Sequence, residues 1–258
     1  MECKIINAAY AGIKETVIIR ILLPIVSIVL LIFAASTNTL LQISTSSALL
    51  PHNYHVKLVL NALHSEIFKS FLPILTVLPF SQSYVDDLKT KYIYFWLIRT
   101  SYKTYLFSRM VVCFVYGGFV SATGSGLALG IATLIFLPIE GIKEAELNAL
   151  SQLVEMIILV SINGGLWAVW GMIGSIFMES KYIAFATPFS TYYLLLILCE
   201  RYCPNAFFLY PSNWLNPDKW IYGTLSAAVF MLELTTICGL FFVSLLIFLI
   251  EVLNYLPG

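Results

Sequence analysis

The chain has 258 residues, of which 60% are hydrophobic, 15% aromatic and only 11% charged, with a mean hydropathy of +0.89. Soluble domains carry about 25% Asp, Glu, Lys and Arg, and here 14 basic residues cancel 14 acidic ones. These values exclude a soluble enzyme, a disordered chain and a nucleic-acid binder, the last of which needs a basic excess.

The charges are unevenly spread. Residues 21–56, 110–139, 156–178 and 182–199 contain none, and 220–250 contain only Glu233. A spanning helix needs about 20 apolar residues, so the pattern predicts an all-α, polytopic membrane protein. Residues 1–16 come first. Ile5, Ile6, Ala9, Tyr10, Ile13 and Val17 recur at helical spacing, with Lys4, Asn7 and Lys14 opposite. This predicts an amphipathic helix lying in the inner interface. Residues 17–258 then read as a six-span domain, with spans at about 17–36, 66–84, 108–137, 150–177, 182–202 and 227–253. The first run is long for a signal-peptide core and no cleavage site stands out, so it is expected to be retained. Pro73 and Pro79 interrupt the second span, which predicts that it is buried against other helices or lines a cavity.

Six spans put both termini on one side. Lys4, Lys14, Arg20, Lys89, Lys91, Arg99, Lys103, Arg109 and Lys181 fall on that side, against Lys57, Lys69, Lys143, Arg201 and Lys219 on the other. The positive-inside rule then predicts cytoplasmic termini and a cytoplasmic 85–109 loop. Three outer segments remain: 37–65, with His52, His55 and His64; an acidic 138–149; and an aromatic 203–226 with Trp214 and Trp220. The last is expected to form short helices in the outer headgroup layer.

Signatures of chemistry are few. No G-x-x-x-x-G-K-[ST], H-E-x-x-H or G-x-S-x-G occurs. The three histidines lack a nearby thiol or carboxylate before Glu66, so they read as unpaired surface residues and not as a metal site. The five cysteines include no C-x-x-C and read as small apolar fillers. Two carboxylates fall inside spans, Glu155 and Glu233. Charge within a bilayer is costly and marks functional candidates, so both are candidates for a substrate path or gating; a structural, paired role is the alternative. Gly117, Gly118, Gly126 and Gly130 in the third span, and Gly164, Gly165, Gly171 and Gly174 in the fourth, let helices approach closely, within the chain or between copies.

The 83–109 loop carries the most information. Asp86, Asp87, Lys89 and Lys91 form a charged start. A short apolar helix with Tyr92, Phe95 and Trp96 follows, then Arg99, Thr100 and Ser101, then Lys103 and Arg109 at the next span. Thr100 or Ser101 suits the cap of that span. The aromatic content exceeds what a solvated connector needs and predicts docking onto something. The stretch resembles the first cytoplasmic loop of ABC-2 type permeases, the membrane subunits of ATP-driven exporters, in the small form known from Gram-positive bacteria. Leu78-Pro79-Phe80, Glu179 to Ala184 and Leu215-Asn216-Pro217 fit the same plan. Lys91 departs from it, because a glycine is usual there.

The resemblance implies a coupling helix at about 86–98 that engages two copies of an ABC ATPase. It also implies a second permease, identical or homologous, that completes a central path. ATP and magnesium would sit on the ATPase, and this chain would bind no cofactor. The expected function is export of a peptide, lipid, antibiotic or other amphiphile across the bacterial plasma membrane by alternating access. A non-transporting immunity or sensor protein that binds a toxic peptide is the alternative.

Overall fold

The computed structural model describes residues 20–37, 53–92, 98, 101–141, 147–178, 180–203 and 205–255. Of these residues 87% are helical. The helices are α1 (Arg20–Ala35), α2 (Tyr54–His64), α3 (Glu66–Val77), α4 (Ser83–Lys89), α5 (Tyr102–Phe136), α6 (Leu147–Met178), α7 (Lys181–Arg201), α8 (Pro211–Trp214) and α9 (Gly223–Tyr255). Four of them, α5, α6, α7 and α9, are long and apolar enough to cross a membrane; the bent pair α2 and α3 makes five if counted as one span. Helix α1 is apolar but shorter over its described residues. The amphipathic helix expected over 1–16 lies outside the described residues.

Helix α6 is the centre of the bundle, packing against α3, α5, α7 and α9. Its contact with α5 follows from glycine. A Cβ on Gly117 would lie 2.5 Å from the Ala168 Cβ, and one on Gly118 would lie 3.0 Å from the Ser161 carbonyl oxygen. On α6, Gly165 meets Phe114 in the same way. Absent side chains thus let two backbones touch, which replaces the missing hydrophobic drive between helices in lipid with close van der Waals contact. Gly126 and Gly130 behave differently. No other part of the described chain lies within 4 Å of a Cβ built on either, so this pair serves no packing among the described residues.

The expected second span is two elements. Ser65 is extended (φ −65°, ψ 142°) and accepts a hydrogen bond from the Phe68 N–H at 3.2 Å, while its hydroxyl donates to the Ala62 carbonyl at 2.6 Å. One serine thus closes α2 and caps α3, and the axis turns by 72°. Helix α3 buries Phe68, Leu72, Pro73 and Val77, as its prolines predicted, but it ends at Val77 and α4 begins at Ser83. The turn between them is held by the Ser81 hydroxyl, which donates to the Ala168 carbonyl at 2.8 Å.

Two further expectations hold. Ser101 caps α5, accepting from the Thr104 N–H at 3.4 Å. Residues 203–226 form short pieces: single 3-10 turns at Phe207–Leu209 and Pro217–Lys219, and α8 between them. Within this segment Trp214 and Leu215 are buried. Gly223 then enters α9 at φ +58°, a left-handed conformation that glycine adopts without steric cost.

Candidate functional site

The two ends of the bundle carry separate polar clusters, with Arg20, Arg109 and Lys181 at one and Lys69 at the other. At one end stands α4, and its two aspartates point into the protein. Asp86 accepts from Arg20 of α1 at 3.4 Å and pairs with Lys181 at the start of α7. Asp87 pairs with Arg109 and accepts a hydrogen bond from the Tyr105 hydroxyl, both on α5. Arg109 also lies 5.4 Å from the Tyr105 ring centre, within cation–π range. Two adjacent carboxylates therefore tie three helices, at this end of the bundle, to one short one.

This corrects the continuous helix expected over 86–98. Helix α4 ends at Lys89, the Thr90 hydroxyl folds back onto the Asp86 carbonyl at 2.8 Å, and Lys91 adopts φ +59°. Lys91 thus holds the left-handed conformation that a glycine would adopt freely, at the position where the resemblance expected a glycine. Asp86 and Asp87 are thus paired within the chain. Lys89, Lys91 and Lys103 are exposed and make no ion pair among the described residues. Tyr92 is 48% exposed. Phe95, Trp96, Arg99 and Thr100 lie outside the described residues.

The other end holds two polar groupings the sequence did not reveal. His55 is buried and not a surface residue; its Nδ1 lies 2.7 Å from Glu140 Oε1, and its backbone N–H donates to the same oxygen at 2.8 Å. The Asn53 N–H donates to Glu140 Oε2 at 3.1 Å. Burial pushes the Glu140 carboxyl up, but the bonds from the His55 ring and backbone and from Asn53 outweigh it and hold the carboxyl below its ordinary range. His64 is likewise partnered, through Nδ1 to Asn216 Oδ1 at 3.3 Å. The Lys69 side chain is 2% exposed and donates to Glu66 Oε1 and Asn216 Oδ1, each at 3.2 Å. Glu66 also accepts from Ser212 at 2.9 Å. The outer segment is therefore clamped onto α3 by a hydrogen-bonded lysine, which makes a buried charge tolerable.

The two carboxylates within long apolar helices part company. Glu155 is exposed and lines a cavity of about 450 Å3 at this second end, with His64, Asp218, Trp220 and Tyr222. Glu233 is exposed on α9 and does not line this cavity. Neither carboxylate makes a hydrogen bond or ion pair to another described residue. Among the described residues, no three His, Cys, Asp or Glu side chains gather as for a metal ion. Cys113 and Cys199 are buried, Cys203 is exposed, and all three are free thiols, as is Cys238.

The chain matches no protein-family model, no curated protein and no solved structure.

Proposed function

We propose that the chain is the permease subunit of an ATP-driven exporter of the ABC-2 type, in the bacterial plasma membrane with both termini cytoplasmic. In this reading α1 is the first of six spans, the α2–α3 pair is the second, and α5, α6, α7 and α9 are the rest. The observation that carries the reading is the pinning of α4. A push on the 83–92 segment reaches α1 and α7 through Asp86, and α5 through Asp87. A solvated connector has no need to be bonded to three spans. A device that converts motion below the membrane into rocking of spans does.

Two copies of an ABC ATPase bind ATP and magnesium and close on each other below the bilayer. The unpaired Lys89, Lys91 and Lys103, with Tyr92, Phe95, Trp96, Arg99 and Thr100, form the surface they push. ATP drives the cycle only by binding one of the two states better than the other. The second permease, identical or homologous, packs on the open face of α5 that holds Gly126, Leu127 and Gly130. The cargo is an amphiphile. A photo-crosslinking residue at position 92 tests this directly. It should capture a subunit that carries a phosphate loop, identified by mass spectrometry, whereas one at position 222 should not. Capture from both positions or from neither overturns the reading.

A further inference from the structure

The acidic outer cavity has an apolar neighbour. A second cavity, of about 430 Å3, lies between α6, α7 and α9 beneath the outer segment, lined by Trp167, Trp170, Leu195, Trp214 and Phe230. The two share an aromatic wall. Trp220 lines the acidic cavity, and its ring centre lies 5.2 Å from that of Phe230; Trp214 lies 6.3 Å from the same ring. The Trp220 indole N–H donates to the Asn213 carbonyl at 2.9 Å and the Trp214 N–H to the Phe208 carbonyl at 2.7 Å, so the wall is fixed in place.

The charges at this wall are one-sided. Glu155 and Asp218 both line the acidic cavity, and neither carboxylate bonds another described residue. The nearby cations are committed elsewhere: Lys69 to Glu66 and Asn216, and Lys219 to the Asn213 side chain at 2.9 Å. Of the cavity's other polar groups, the His64 Nδ1 faces Asn216; if it donates there, Nε2 is left as an acceptor. Two carboxylates, an imidazole acceptor and the Trp220 and Tyr222 rings are chemistry for a cation. The adjoining cavity, with three tryptophans, is chemistry for an apolar body. Each volume falls in the range of small-molecule sites, about 300–1,000 Å3.

We propose that the pair forms one two-part site for a cationic amphiphile, with the positive group beside Glu155 and Asp218 and the apolar part against Trp167 and Phe230. This narrows the cargo class of the export reading and rests on it for what such binding is for.

The test uses the full chain in lipid nanodiscs without any ATPase. Binding of dodecyltrimethylammonium, kept below its micellar concentration, is measured against empty nanodiscs, with dodecyl sulfate as the anionic control. Saturable excess binding of the cation alone is expected. Glu155→Gln or Asp218→Asn should weaken it about tenfold, the scale of one partly screened charge–charge contact. Leu195→Trp, which fills the apolar cavity, should weaken it as well. If Leu195→Trp does not fold, the two carboxylate variants decide. No excess binding, equal binding of dodecyl sulfate, or full affinity in both carboxylate variants overturns the proposal. Because no ATPase is present, such a failure leaves the crosslink at position 92 to judge the export reading separately.

Discussion

Asp87 sets the cost of disturbing the inner cluster. Its carboxylate is 15% exposed and serves Arg109 and Tyr105 together, whereas Asp86 is 28% exposed and its partner Arg20 is 42% exposed. Exposed pairs contribute about 0.2–1 kcal/mol, and charged bonds with less water about 1.5–3. Asp87→Ala should therefore destabilise more than Asp86→Ala, by at least about 1 kcal/mol, read from thermal unfolding in one detergent. Equal effects would mean that Arg109 and Tyr105 find other partners. Glu140 gives the complementary pH test. A carboxyl held below its ordinary range contributes stability above that range, near pH 4.3, and loses it as the pH falls through the depressed value. Glu140→Gln should cost about 1–3 kcal/mol at pH 7, and the gap from the unaltered chain should narrow below about pH 4. A gap that widens in acid would contradict the assignment. Neither cluster was fully legible in the sequence. Asp86 and Asp87 stood out as a charged start, but Arg20 lies 66 residues before Asp86 and Arg109 lies 22 residues after Asp87. His55 and Glu140 are 85 apart, and nothing local marks them as a pair.

Helices were legible where apolar runs were long. The third span read from the sequence, 108–137, meets α5 at Tyr102–Phe136, and the fifth, 182–202, meets α7 at Lys181–Arg201. Helix α2 was missed because its serines and histidines upstream made 37–65 read as one outer segment. Yet Val56, Val59 and Leu63, all buried, recur at spacings of three and four. The break at Lys91 was missed because a lysine does not announce a left-handed backbone. The glycines divide by face, which local sequence does not reveal. Gly117→Val would drive new atoms into Ala168 and the Gly164 carbonyl oxygen, 2.8 Å from an added Cβ. It should cost about 1–3 kcal/mol or prevent folding. Gly126→Leu and Gly130→Leu should fold as the unaltered chain does, while disulfide crosslinking of two permeases through this face is lost. Persistent crosslinking in those variants would move the partner to another helix.

At the scale of the molecule, two polar ends separated by apolar helices fix which loops share a side. Arg20, Arg109 and Lys181 meet at α4, while Lys69 and Asn216 meet at the opposite end. A cysteine at Asp218 should therefore react with an impermeant maleimide from outside intact cells, and one at Lys89 only after permeabilisation. The reverse pattern would invert the topology. The central claim is that the 83–103 segment couples a separate ATPase to the spans, and Trp96→Asp addresses it most directly. The tagged, unaltered chain, purified together with its ATPase, should retain bound subunits and ATP hydrolysis, while the chain alone hydrolyses none. Trp96→Asp should insert and fold with the same thermal stability but lose the bound ATPase or its response to cargo. Full retention of a cargo-responsive ATPase by that variant would contradict the account.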